Sequence, residues 1–355
     1  MVDFFEKPKT FIALSTIMTW AKTKVENEDP ETAIPEDEYR RRKPHPNFKG
    51  FAALEKTIVK HSKKEKFKGF VIAPGLVYHS GDSIFHSLFK AAWHNEQFLT
   101  CYGDGTNVLP CIHLDDLLSI TVEVIETAPE AKYIVAVDDS KNTLFDIIKA
   151  IADNLSNGLV KKITKEDAFL NSALTQQDYD MLTVNLRLEP GWTKEAGIEM
   201  KYDAGIIENI GQLVQDYKDS RGLWSLKVFV HGPPAAGKSL FAQKIAAHYK
   251  IHYLEADAVV QETIANYERR VNGGQYEGEE VDVDGERQTM IELKEAIKAN
   301  NGKLPSAQLI DVIRSKLRSM PCKNQGYVID GYPTTVEEAS ELFKRNIYLS
   351  EILTK

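Results

Sequence analysis

The chain is short of the features that would place it outside a reducing, aqueous compartment. Its 355 residues include three cysteines, Cys101, Cys111 and Cys322, with no CxxC pair among them, and these read as free thiols. No apolar run approaches the roughly 20 residues that cross a bilayer. The opening MVDFFEKPKTFIALST is too acidic, and its apolar run too short, for a secretory signal. Excess positive charge is also missing. The formal net charge is −8, which argues against a general nucleic-acid or membrane-surface binder. A cytoplasmic protein is the expectation. What is present is a globular composition, 43% hydrophobic and 27% charged, on a chain long enough for two ordinary domains.

Two blocks separate near DYKDSRGLWSLK, Asp216 to Lys227, where a polar stretch containing Arg-Gly follows a helical pattern and precedes a strand. We set the domains at 1–219 and 226–355, with 220–225 as linker. In the first block TFIALST, KGFVIAPG and KYIVAVDD are short apolar runs bounded by breakers, as buried parallel strands should be. Helical patterns such as FAALEKTIVKHSKK alternate with them, which argues for an α/β layered domain. The second block repeats the theme. Strands are expected at KVFVH, IHYLE and GYVID, with helices over 238–249, 257–270, 288–299, 306–317 and 335–344. The Gly- and acid-rich stretch Asn272 to Gln288 reads as a solvated surface loop, since its spacing fits no EF-hand.

One motif carries chemistry. Gly232 to Ser239, GPPAAGKS, satisfies GxxxxGK[ST] with an apolar strand before it and a helical pattern after it. Backbone N–H groups of Gly232, Ala235, Ala236, Gly237, Lys238, Ser239 and Leu240 would converge on an anion at the helix start. Lys238 would reach the β- and γ-phosphates of ATP as a point charge, and the Ser239 hydroxyl would sit on Mg²⁺. About ninety residues on, GYVIDGYP supplies a strand that ends in Asp330. A carboxylate there suits the nucleotide's Mg²⁺, directly or through water.

These elements, with LEAD, NGKLPSAQLIDVIRSKL and CKNQGYVIDGYPTTVEEA in that order, resemble the core of adenylate and other nucleoside monophosphate kinases from about Leu226 onward. The resemblance implies transfer of the γ-phosphoryl group of ATP to a nucleoside monophosphate such as AMP. It makes Lys238 the catalytic residue, Ser239 and Asp330 the Mg²⁺ residues, and Asp257, Gly331, Tyr332 and Pro333 the acceptor side. There are departures. Ala235 stands where the family usually has glycine, which would restrict backbone approach to the phosphates. Val260 and Thr334 stand where the family has phosphate-holding arginines, and Glu338 where it has a base-reading glutamine. Each lost clamp is worth roughly 1.5–3 kcal/mol, so acceptor binding is expected to be weak. None of Arg269, Arg270, Arg287, Arg314, Arg318 or Arg345 sits in a motif that places it on the transferring phosphoryl group. The family continues with further core strands and an arginine-bearing lid, whereas this sequence ends at Lys355. The expectation is either a truncated or spliced form, or a chain that binds a nucleotide without efficient turnover.

The first block resembles the later part of an extended short-chain dehydrogenase or epimerase, from about Phe11 to Tyr217. FIALST is similar to the strand that ends at that family's catalytic serine, and GFVIAPGLVYHSGD to its next strand and loop. No GxGxxG or GxxGxxG follows a strand here, the first βαβ unit is not found, and NAD(P) is not expected. The family's Tyr and Lys positions correspond to Asn47 and Phe51, which cannot do acid–base chemistry. Tyr39 and Lys43 have the literal Tyr-x-x-x-Lys spacing, but Pro44 pushes Lys43 toward extended backbone. A short solvated helix starting near Pro35 is the better reading. Ser15 and Thr16 are then strand-end hydroxyls without partners. His79, His86 and His94 have no accompanying metal-type spacing and read as a helix face.

The fold expected is thus α/β: a partial Rossmann-like domain, then a partial P-loop, adenylate kinase-like domain. The two blocks together resemble a ciliary branch of the kinase family, which implies a place in cilia or flagella and axonemal partners. The rival reading is a catalytically inactive nucleotide-sensing or structural ciliary module.

Overall fold

Short apolar runs become parallel strands in both halves of the chain. The computed structural model describes residues 7–24, 32–62, 64, 66–79, 84–169, 174–273 and 282–343. The chain divides into two compact units. One comprises Met1–Ala91, Leu99–Asn154 and Val160–Ser220, the other Ala92–Phe98, Leu155–Leu159 and Arg221–Lys355.

In the first unit the strand Phe67–Pro74 lies between Lys9–Leu14 and Tyr133–Ala136, all parallel. Its seven buried residues out of eight are what a strand covered on both faces requires. Helix Leu114–Thr127 buries Leu117, Ile120 and Val124 at spacings of three and four, and these pack with Phe70, Ile72, Ile112 and Ile134. Helix Lys49–His61 buries Ala52, Glu55 and Ile58 in the same way. Smaller parallel pairs, Leu76–Tyr78 with Cys111–His113 and Leu99–Tyr102 with Val160–Ile163, extend the unit.

In the second unit Gly326–Asp330 is central, with Leu226–Val230 and His252–Glu255 parallel on its two sides. Gly326 has φ +96, and a Cβ there would meet the backbone of Leu226 at 2.1 Å, so only glycine lets these strands close. Ile329, Leu254, Ile310 and Ile313 form one core cluster, and Val260, Ile264, Leu293 and Leu304 another.

Two readings of the sequence are corrected. Residues 274–281 of the supposed loop lie outside the described residues, but from Val283 the chain is helical, through Ala299. The Asp282 carboxylate accepts from Gly285 N at 3.1 Å, and Asp284 and Glu286 favour the helix start, so the end of the acidic run is a helix cap. The helix after Pro35 is a five-residue 3₁₀ segment, Glu36–Arg40, and it is not solvated throughout. Glu36 is buried and bonded to Val135 N at 2.8 Å and Trp192 N at 3.1 Å, while Tyr39 stacks on Tyr133 at 4.9 Å.

Candidate functional site

The strand Leu226–Val230 runs into an exposed loop, and the next helix, Lys238–Tyr249, opens with Gly237 as its N-cap. No side chain caps that helix, so its first N–H groups face outward without an intrahelical partner. Gly237 adopts left-handed backbone, φ 79, at no steric cost. Ala235 adopts it too, φ 64, and for a residue with a Cβ this conformation costs about 1–2 kcal/mol. Ala235 therefore loads the loop with local strain. The Lys238 stem lies across Gly232, its Cγ and Cδ 3.5 Å from where a Cβ would stand. Its Nζ donates to the Pro233 carbonyl at 2.8 Å, and Ala236 N donates to the same oxygen at 3.3 Å. Ser239 and Leu240 are exposed, and the helix buries only Ala242 and Ala246.

Val230 and Asp330 are register partners, as are Glu255 and Asp330. The loop, Asp330 and the first turn of helix Ala256–Val271, with the exposed Asp257, therefore meet at the carboxyl end of one sheet. That end is where parallel α/β sheets bind ligands. Asp330 is nearly buried and accepts from the Tyr253 hydroxyl at 2.8 Å. Burial, and then this bond, raise the Tyr253 pKa and keep the phenol protonated. An aromatic residue on the neighbouring strand was the available signal for this partner. Gly331, φ 66, donates its N–H to the Val230 carbonyl at 3.1 Å and ties the two strand ends together. The side chains of Tyr332 and Pro333 are packed inside the unit. Pro333 is buried, and the Tyr332 ring is 3% exposed and packed among Leu254, Ile310 and Ile313.

Val260, Thr334 and Glu338, the departures expected on the acceptor side, have definite structural roles. Val260 is buried in the Ile264–Leu293–Leu304 cluster, so its side chain is a core element. Thr334, Thr335 and Glu338 form a helix-start lock. Glu338 accepts from Thr334 N and Oγ1, both at 2.8 Å, from Thr335 N at 3.3 Å and from Ser306 Oγ at 3.1 Å. Glu338 N donates back to Thr335 Oγ1 at 3.1 Å, a capping box. Burial works to raise the Glu338 pKa, but the bonds from Thr334, Ser306 and Thr335 together hold it below the ordinary carboxylate value. The Thr-x-x-Glu spacing at 335–338 was the available signal for this role. Of the remaining arginines, Arg270 pairs with Glu286 at 2.8 Å and Arg314 with Asp311 at 2.7 Å, while Arg345 lies outside the described residues.

In the first unit, Ser15 does have a partner. Its hydroxyl donates to Glu55, one turn beyond Phe51 and two beyond Asn47. Glu55 is buried and also takes the Arg42 guanidinium through Nε at 3.0 Å and through Nη2, and the Thr19 hydroxyl at 3.2 Å. Arg42 lies over the Tyr133 ring at 4.6 Å, and Trp20 Nε1 donates to the Tyr133 hydroxyl at 2.8 Å. Thr16 accepts from Met18 N at 3.2 Å. Asn47 bonds Asp180 at 2.6 Å, and Phe51 is exposed. His86 begins helix His86–Trp93, His94 follows its end, and the His79 ring faces His113 at 5.5 Å. Among the described residues no group of three or more His, Cys, Asp or Glu could hold a metal ion. Nor, among them, is any helix long and apolar enough to cross a membrane.

Comparison with known proteins finds relatives that match along nearly the whole chain. Mouse adenylate kinase 7 is 40% identical over 357 residues, covering 97% of this chain and 58% of the relative. This chain is similar to adenylate kinase 7. The macaque adenylate kinase 7 (Macaca fascicularis) is 40% identical over 303 residues, 82% of this chain and 57% of the relative. The chain thus spans somewhat more than half the length of the curated relatives it matches. The similarity to the mouse protein runs through both units, and both are parallel α/β. A bacterial adenylate kinase from Lachnospira eligens is 28% identical over 120 residues, 34% of this chain and 46% of that protein. No family model matches. Among solved structures, a Streptomyces venezuelae dTDP-glucose 4,6-dehydratase, crystallised with NAD, has a TM-score of 0.48 at 15% identity, covering 61% of this chain and 62% of that one. A human epimerase family protein, crystallised with NADPH, has a TM-score of 0.44 at 16% identity, covering 59% and 68%. Both likenesses are too distant to bear on function.

Proposed function

We propose that residues 226–355 form an adenylate kinase-like unit that binds Mg²⁺-ATP and passes its γ-phosphoryl group to a nucleoside monophosphate, most simply AMP. Residues 1–219, joined through 220–225, would be a degenerate Rossmann-like unit whose dehydrogenase chemistry has been lost. The observation that carries the proposal is the strand–loop–helix from Leu226 to Tyr249, with an uncapped helix start at Gly237 and Asp330 level with its strand end. Similarity to adenylate kinase 7 along nearly the whole chain supports it.

In this reading the backbone from Gly232 to Leu240 cradles the phosphates, and Lys238 swings from the Pro233 carbonyl to neutralise the β- and γ-oxygens. The acceptor oxygen attacks phosphorus as the bond to the bridging oxygen of ADP breaks, and the chain contributes alignment and charge. Ser239 and Asp330 supply hard oxygen donors, which suit Mg²⁺; a site with so few protein ligands completes its coordination with phosphate and water. Bound there, the ion would offset charge on the transferring group. Asp257 and the Gly331–Pro333 backbone would line the acceptor side, with the Tyr332 ring serving as packing beneath it.

A coupled assay for ADP formation from ATP plus AMP tests the proposal. Turnover lost in Lys238→Ala and present in the parent supports it. A specific observation favours the second reading, a nucleotide-sensing module in a ciliary assembly. Val260 is core, Thr334 and Glu338 are spent on a helix cap, and none of the three is left to grip an acceptor phosphate or base. ATP-dependent thermal stabilisation without ADP formation would select that reading.

A further inference from the structure

Helix Leu114–Thr127 turns four large apolar residues to water. Leu114, Leu118, Val122 and Ile125, spaced four, four and three apart, form one stripe and are 42–60% exposed. The residues it buries are a different stripe, Leu117, Ile120 and Val124. Beside the outward stripe lie Asp115, Glu123 and Glu126, and the helix contains no lysine or arginine. A contiguous apolar stripe rimmed by charge marks a contact surface.

Helix Lys49–His61 is its counterpart in charge. Phe51 and Leu54 are exposed on it, and its outward charges are Lys49, Lys56 and Lys60. Its one acid, Glu55, is buried and held by Arg42. Gly50, Ala53 and Thr57, small and exposed, lie between the lysines and the apolar pair and let another helix approach closely. The two outward faces cannot meet within one chain. Gly69 and Phe70 are neighbours on strand Phe67–Pro74, so they point to opposite sides of the sheet. Ile58 of the lysine-bearing helix lies 3.0 Å from where a Cβ on Gly69 would stand, whereas Leu117, Ile120 and Val124 pack with Phe70 and Ile72. One helix therefore covers each side of the sheet, and each turns its unused face away from the other.

We propose that the acidic face of helix Leu114–Thr127 docks on the basic face of helix Lys49–His61 in a second copy of this chain. The spans agree: Leu114 to Ile125 and Lys49 to Lys60 each cover about 16 Å of helix. Sidedness fixes the orientation. Around the first helix the acids follow the apolar stripe, and around the second, in the same rotational sense, the apolar pair follows the lysines. Facing surfaces of this kind bring unlike charges together only when the axes run parallel. In that arrangement Lys49, Lys56 and Lys60 come level with Asp115, Glu123 and Glu126 to within one residue, and Leu54 falls between Leu118 and Val122. The contact is head to tail, so each copy keeps one free face of each kind and the assembly grows or closes into a ring. The proposal does not rest on nucleotide binding or turnover.

The test is sedimentation velocity of the full chain from about 1 to about 300 µM, a range suited to a single helix pair, which is a small interface. The mean mass should rise with concentration. Lys56→Glu with Lys60→Glu should weaken association about tenfold or more, and so should Glu123→Lys with Glu126→Lys. Mixed one to one, these two variants should associate again, because the first keeps the acidic face and the second the basic one. A parent chain that stays monomeric throughout overturns the proposal, as do variants that associate like the parent or a mixture that stays monomeric. Circular dichroism melting of each variant confirms that the fold is retained.

Discussion

The two units treat polar groups in opposite ways. Around Ser15 a chain of polar side chains is committed to one another: Ser15 and Thr19 to Glu55, Glu55 to Arg42, Arg42 to the face of Tyr133, and Tyr133 to Trp20. Around Gly237 the polar groups face outward, with the helix start uncapped, Ser239 exposed and Lys238 resting on a single loop carbonyl. A closed, satisfied network stabilises a fold and has nothing left for a substrate. An open loop with a strained alanine contributes little to the fold and keeps its donors for a ligand. The difference teaches that a strand-end serine is a weak sign of chemistry until its neighbours' commitments are known.

Breaking the closed network should give the largest effect. Arg42→Ala leaves the buried Glu55 unpaired, and the loss expected is about 3–5 kcal/mol, read as a lowered urea midpoint. The same substitution should leave ATP binding at the open loop nearly unchanged; a parallel loss there would erase the contrast. A second break uses pH. Burial pushes the Asp138 pKa up to about 7, against partial relief from Ser140. Between the ordinary carboxylate value and about 7 the folded state holds a proton that the unfolded state has released, so stability falls as pH rises across that window. Asp138→Asn should flatten that slope in melting temperature measured from pH 4 to 8, and an unchanged slope would refute the assignment.

Smaller effects sharpen the open side. Thr334→Arg adds a phosphate clamp at an exposed position and should tighten acceptor binding about tenfold or more, the effect of one charge-assisted bond. Calorimetric titration with AMP reads it, and no gain would mean that the acceptor side is built differently from the family pattern. Glu338→Gln should lower stability by about 1 kcal/mol through the weakened cap. Since the Glu338 pKa is held low in the fold, that contribution is present at neutral pH and disappears only as pH falls through the folded value. The parent and Glu338→Gln should therefore converge in acid. Ala235→Gly removes about 1–2 kcal/mol of strain while adding unfolded-chain entropy worth roughly 0.5–1 kcal/mol. A net gain between zero and about 1.5 kcal/mol is expected, and a destabilised variant would mean that the alanine is relaxed.

Much was legible in the sequence, and for physical reasons. The glycine-containing loop before Lys238, the helix over 238–249 and the strand over 326–330 follow from short-range chemistry: apolar β-branched runs, a glycine punctuation and a helical period. The loop–Asp330 pairing was legible as well, because a lysine loop and a strand-end aspartate belong together in a parallel sheet. The capping box at Thr335 and Glu338 was readable but was masked by the position's resemblance to a base-reading glutamine. Tertiary structure alone decided the rest. That Val260 faces a core, that Tyr253 bonds Asp330, and that Ser15 finds Glu55 and Glu55 finds Arg42 depend on which faces two elements turn to each other. Sequence spacing fixes the residues along each element, whereas the pairing of elements is set by packing many residues away.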